Sequence, residues 1–197
     1  MGWLALAIFV LGSALMFGLR ILIHRRRTGD TGLRRGDSPA WATVLFGLAP
    51  AFMVAGPVAA IAGLDDVRPL DRPTIAGIGI VLAVTGIVGA SLAQADMGTS
   101  WRFGIDQAER TDLVTAGAFG VVRNPVYTAV FVISLGLALM VPNIVSLVAT
   151  AVVVLAVQVQ VRAVEEPYLA QTHGAAYTAY AARVGRFLPG VGTVTSR

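Results

Sequence analysis

The 197-residue chain is 56% apolar and only 13% charged, with a mean hydropathy of +0.75. Soluble domains carry about a quarter charged residues, so this composition implies a membrane protein with no room for a separate soluble catalytic domain. Cysteine is absent and histidine is limited to His24 and His173, which excludes disulfides, thiolate metal sites and a cysteine nucleophile, and speaks against a metal cluster. All fifteen basic residues are arginine, so a P-loop and a Schiff-base lysine are also excluded. The net charge of +4 sits in short loops beside apolar runs, a pattern of membrane orientation and not of nucleic-acid binding.

The first apolar run, residues 2–23, is interrupted by Ser13 and Arg20 and is long enough to cross a bilayer. Its basic residues Arg25, Arg26 and Arg27 follow the run instead of preceding it, unlike a secretory signal. A second span over 41–64 contains Pro50 and Pro57, which predict a kink. A third, over 73–93, carries glycines at 77, 79, 86 and 89, the small residues that let membrane helices approach closely. The loop containing Arg25 to Arg35 is expected on the cytoplasmic side, which places the N-terminus outside and the stretches after residue 93 inside.

The run Arg123-Asn-Pro-Val-Tyr127 joins a polar stretch to the last long apolar stretch. Proline fits the first turn of a helix, where its missing N–H is not needed, so a helix is expected from about Pro125. One helix over 128–161 would measure about 50 Å against a hydrocarbon thickness of about 30 Å. Pro142-Asn143 near its middle is a turn signal. The expected result is a helical hairpin, and five membrane segments in all. The hairpin returns Glu165 and Glu166 to the side of Arg123.

Two polar stretches flank that hairpin. Gln94 to Asp112 contains Trp101, Arg102 and Phe103, whose rings suit an interfacial anchor. The tail contains Glu165-Glu166-Pro-Tyr-Leu, Tyr177, Tyr180 and Arg186-Phe187-Leu-Pro189. Adjacent carboxylates beside a membrane helix must face water or meet a cation. Tyr177 and Tyr180 lie at helical spacing, which predicts an amphipathic helix over about 167–183.

The combination of Arg-Asn-Pro-Val-Tyr at the head of a hairpin, Glu-Glu-Pro-Tyr-Leu beyond it, then Gly174, Tyr177, Tyr180 and Arg186-Phe-Leu-Pro189 resembles the isoprenylcysteine carboxyl methyltransferases, which group with the phospholipid methyltransferases. Met97-Gly98, Trp101-Arg102 and Gly104-Ile105-Asp106 look like the bacterial branch of that family. The resemblance covers about residues 94–189. It implies an all-α polytopic bundle in a bacterial inner membrane, with a transmembrane region over 1–93 and a catalytic region over 94–197. It implies a cytoplasm-facing pocket for S-adenosyl-L-methionine and a lipid-like acceptor that enters from the bilayer. Carried over by position, Arg123, Glu165 and Glu166 are the candidate catalytic residues. Arg123, Asn124, Pro125, Tyr127, Glu165, Tyr177, Arg186 and Phe187 are the candidate cofactor residues. Trp101 and Arg102 are candidates for the acceptor, and no metal ligand is expected. Family members usually have histidine where this chain has Asn124; asparagine also donates and accepts hydrogen bonds.

The expected reaction is O-methylation of a carboxylate of the isoprenylcysteine type, which is ionised near neutral pH and needs no general base. A phospholipid amine or small thiol would instead require a proton acceptor, for which a glutamate is the candidate. Two other classes remain open on sequence alone: a membrane reductase using a dinucleotide, since the steroid reductases look similar at this end of the chain, and a non-enzymatic scaffold.

Overall fold

The computed structural model describes residues 1–34, 39–102, 104 and 112–194. Among these the chain is an all-α membrane bundle. Four helices are long and apolar enough to cross a bilayer: α1 (Gly2–Thr28), α2 (Ala40–Ile61), α3 (Pro73–Asp96) and, after the shorter α4 (Pro125–Met140), α5 (Ile144–His173). A final helix, α6 (Ala175–Arg183), lies in the tail. With 16 residues, α4 measures about 24 Å, so the hairpin has one full-length arm and one short arm.

Local chemistry explains most of the helix ends. The three arginines at 25–27 occupy the last turn of α1, where cations meet the carbonyl end of the helix dipole, and Gly29 terminates it at φ 78°. The kink predicted in the second span falls at Leu48, between helical segments Ala40–Gly47 and Ala49–Ile61, with Pro50 in the first turn of the latter. Pro125 opens α4 as expected. Asn143 caps α5, accepting from the Ser146 N–H at 2.9 Å, and its amide donates to the Gly56 carbonyl at 3.1 Å. The hairpin turn is thereby tied to α2. The single tail helix expected over 167–183 is broken: Gly174, at φ 52°, separates the end of α5 from α6.

The most extensive packing is between α3 and α4. The buried face of α3 is Ala76, Gly79, Ala83, Gly86, Ala90 and Ala93, small residues recurring every three or four positions. Without a hydrophobic driving force between helices in lipid, such a stripe gains its stability from close backbone contact. A Cβ added at Gly79 would lie 2.6 Å from the Gly136 carbonyl, and one at Gly86 would lie 2.9 Å from the Ala129 carbonyl. Gly77, on the same helix, has open space around it. Gly86→Ala should therefore lower stability in detergent by about 1–3 kcal/mol by forcing the helices apart. Gly77→Ala should be neutral or slightly stabilising, and equal unfolding midpoints for the two variants would contradict this packing.

Candidate functional site

The site is assembled where the head of α4 meets the tail. The Arg123 and Asn124 N–H groups donate to the carbonyls of Gly185 (2.8 Å) and Arg186 (3.1 Å). The Asn124 side-chain amide donates to the same Arg186 carbonyl at 3.2 Å, and the Thr128 hydroxyl to that of Phe187 at 2.9 Å. Two backbone and two side-chain donors around the start of α4 are thus paired with one segment of the tail, which leaves none of them buried without a partner.

Charge reinforces that seam. Glu166 accepts from Arg123 Nη2 at 2.7 Å and, through both carboxylate oxygens, from Arg186 Nε and Nη2 at 2.8 Å each. Arg123, whose side chain is 2% exposed, also donates to the carbonyls of Ala181 and Gly192 at 3.1 Å and of Val184. The hydrogen bonds it donates to Glu166 hold the Arg186 guanidinium above its ordinary pKa. Burying such a group of charges is tolerable because each has a geometric partner; removing one leaves a buried charge exposed to its neighbours alone.

Glu165 and Glu166, adjacent in sequence, take different partners. The segment Val161–Glu165 is a π-helical turn inside α5, in which hydrogen bonds run to the fifth residue. That wider turn sets Gln160 and Glu165 on one side, with Gln160 Nε2 3.5 Å from the Glu165 carboxylate. The Tyr127 hydroxyl donates to the same carboxylate. Glu166 then faces the two arginines.

Glu165 looks into a cavity of about 650 Å³, within the range of small-molecule sites. Its membrane end is walled by Met16, Phe17, Phe46 and Val130, and its tail end by Phe119, Tyr168, Tyr177 and Tyr180. Arg123, Asn124, Pro125, Tyr127, Glu165, Tyr177, Trp101 and Arg102, all singled out in the sequence, line it. Glu166, Arg186 and Phe187 do not: the first two belong to the ion cluster, and Phe187 is buried against Val157, Val161 and Phe131. Phe103, Ile105 and Asp106 lie outside the described residues. The Tyr177 and Tyr180 rings meet edge to face at 6.3 Å. Burial pushes both phenols up to about 12, aided for Tyr177 by the charge of Glu166.

Trp101 is a correction to its reading as an interfacial anchor. It is 3% exposed, with Arg20 of α1 5.4 Å from its ring centroid and the His24 ring at 5.5 Å. Arg20 donates to the Gly98 carbonyl at 2.7 Å, and Arg102 meets His24 Nε2 at 3.1 Å. The lone arginine in the first span was the signal that α1 has a polar partner. Gln94, Gln160 and Tyr168 also line the cavity and were not singled out; a glutamine near a helix end carries no motif of its own.

Two outcomes follow from this geometry. Glu166→Gln should free the tail, at a cost of about 3–5 kcal/mol, and speed tryptic cutting at Arg183 and Arg186, while Glu165→Gln should leave cutting unchanged; identical rates would contradict the ion cluster. Unfolded tyrosines ionise near 10 whereas Tyr177 and Tyr180 hold their protons to about 12. Their contribution to stability is therefore complete below pH 10 and should decay as pH rises from 10 to 12, which alkaline unfolding monitored by circular dichroism would register.

The chain is similar in sequence to known methyltransferases. The chain is 32% identical over 117 residues to protein-S-isoprenylcysteine O-methyltransferase B of Arabidopsis thaliana, covering 58% of this chain and 59% of that protein. The family model for phospholipid methyltransferase matches residues 74–176, a stretch from the start of α3 through both arms of the hairpin into α6 that takes in just over half of the molecule. On that match, the chain belongs to the phospholipid methyltransferase family.

Proposed function

We propose that the protein is an S-adenosyl-L-methionine-dependent methyltransferase acting on a lipophilic acceptor, with a carboxylate of the isoprenylcysteine type as the leading substrate class. The observation that carries this reading is one cavity joining an apolar membrane end to a polar, tyrosine-lined tail end at Glu165. A lipid-like acceptor suits the first and a charged, aromatic cofactor the second. The donor set fits that cofactor. The Glu165 carboxylate is suited to its ammonium or ribose hydroxyls, and Tyr168, Tyr177 and Tyr180 offer rings against its adenine. The cofactor supplies an activated methyl group when bound.

The chain's own residues align the reactants and exclude water. Tyr127 and Gln160 hold the Glu165 carboxylate in place. Arg123, Glu166 and Arg186 act as positioning residues, fastening the tail so that Tyr177 and Tyr180 cover the polar end. In a water-poor cavity this pre-alignment lowers the barrier to in-line transfer. A carboxylate acceptor arrives ionised, so no residue need remove a proton. In this reading residues 94–197 are the catalytic region and residues 1–93 its membrane support. The tail faces the cytoplasm, on the side of Arg25, Arg26 and Arg27.

The test is calorimetry with S-adenosyl-L-homocysteine on detergent-purified protein. Wild type should bind it, and Glu165→Gln should bind about 10- to 100-fold more weakly, the loss of a charge-assisted hydrogen bond, while remaining folded. Folded wild-type protein that does not bind would refute the proposal. Mass spectrometry of membranes incubated with labelled methyl donor identifies the acceptor.

A further inference from the structure

The end of α3 presents a polar group that none of the contacts above uses. Gln94 is 3% exposed, lies on the buried face of α3 and lines the cavity. Among the described residues nothing hydrogen-bonds its carboxamide, whereas nearby Arg102, His24, Tyr127 and Glu165 each have a polar partner. Unlike the Gln160 Oε1 atom, which is buried without a partner, the Gln94 carboxamide is open to the cavity, where a ligand can take its hydrogen bond.

Its depth can be read from the helix register. Gly79 packs against Gly136 and Met140, and Gly86 against Ala129 and Ile133, so the antiparallel pair sets Gln94, about two turns further on, level with the head of α4. That is where the apolar end of the cavity gives way to the polar end. Arg102 and Arg34, the latter paired with Asp30, line the cavity together with Asp112, and Arg20 stacks behind Trp101. Glu165 stands on a different wall, contributed by α5. A neutral donor near arginines, at the boundary between the apolar and polar ends of the cavity, suits an oxyanion carried on an apolar tail.

We propose that the Gln94 carboxamide, through its N–H group, seats the oxyanionic head of the methyl acceptor. This deepens the methyltransferase reading and rests on it. The head could be a carboxylate or a lipid phosphate; both accept from the amide, and the substrates below separate them.

The test uses the full chain in detergent with Gln94→Met, which keeps the volume and removes the amide, Gln94→Glu, which sets a negative charge against the head, and Gln94→Asn. Two probes are titrated calorimetrically and turned over: N-acetyl-S-farnesyl-L-cysteine, a prenylated carboxylate, and phosphatidylethanolamine in mixed micelles. For whichever probe wild type binds, Gln94→Met should raise Kd and KM about tenfold with a smaller change in kcat, and Gln94→Glu about a hundredfold. Gln94→Asn should recover part of the loss. Affinity for S-adenosyl-L-homocysteine should stay within about twofold in all three, so a failure of cofactor binding in wild type refutes the broader reading separately. The assignment is overturned if Gln94→Met binds the probe as wild type does. It is also overturned if Gln94→Glu binds more tightly, if cofactor affinity falls in step with probe affinity, or if wild type binds neither probe.

Discussion

Everything near the cavity depends on Glu166 being held between two arginines that are far apart in the sequence. Arg123 precedes α4 and Arg186 follows α6, so one carboxylate joins the start of the hairpin to the end of the tail. Each charge would be prohibitive at the membrane edge alone. Together they make an electrostatic clasp whose backbone counterpart is the pairing of Arg123 and Asn124 with Gly185 and Arg186. The tail is thus part of the cavity wall.

Two features of the membrane helices make that clasp possible. The small-residue face of α3 allows α4 to approach closely, and buried Asn143 turns the chain back while bonding to α2. The π turn in α5 then divides the labour of adjacent acids: one is committed to holding the structure closed, while its neighbour faces the cavity. A regular α-helix would not set Gln160 and Glu165 together, because residues five apart diverge around its axis. π turns recur at functional sites for this kind of reason.

Much of this was legible in the sequence where the signal is local. Pro125 and the Pro142-Asn143 turn marked the hairpin, and its return of Glu165 and Glu166 toward Arg123 followed from lengths alone. Gly174 is also a local signal, but the spacing of Tyr177 and Tyr180 suggested one helix where the positive φ of that glycine separates two. The different partners of Glu165 and Glu166 were not legible, since they depend on helix register that tertiary packing decides. Arg186 and Phe187 were expected beside the cofactor residues, yet one is taken up by Glu166 and the other by the core. The reading of Trp101 as an interfacial anchor failed because its partner Arg20 lies on a helix whose packing periodicity alone does not reveal.

The clasp is most directly tested by a double-mutant cycle read by hydrogen exchange at the amides of Arg123 and Asn124, which donate to the tail. The account predicts that Glu166→Gln and Arg186→Gln each sharply reduce protection, and that the double variant loses little more than either, because both break one interaction. Losses that simply add, or protection that survives Glu166→Gln, would contradict it.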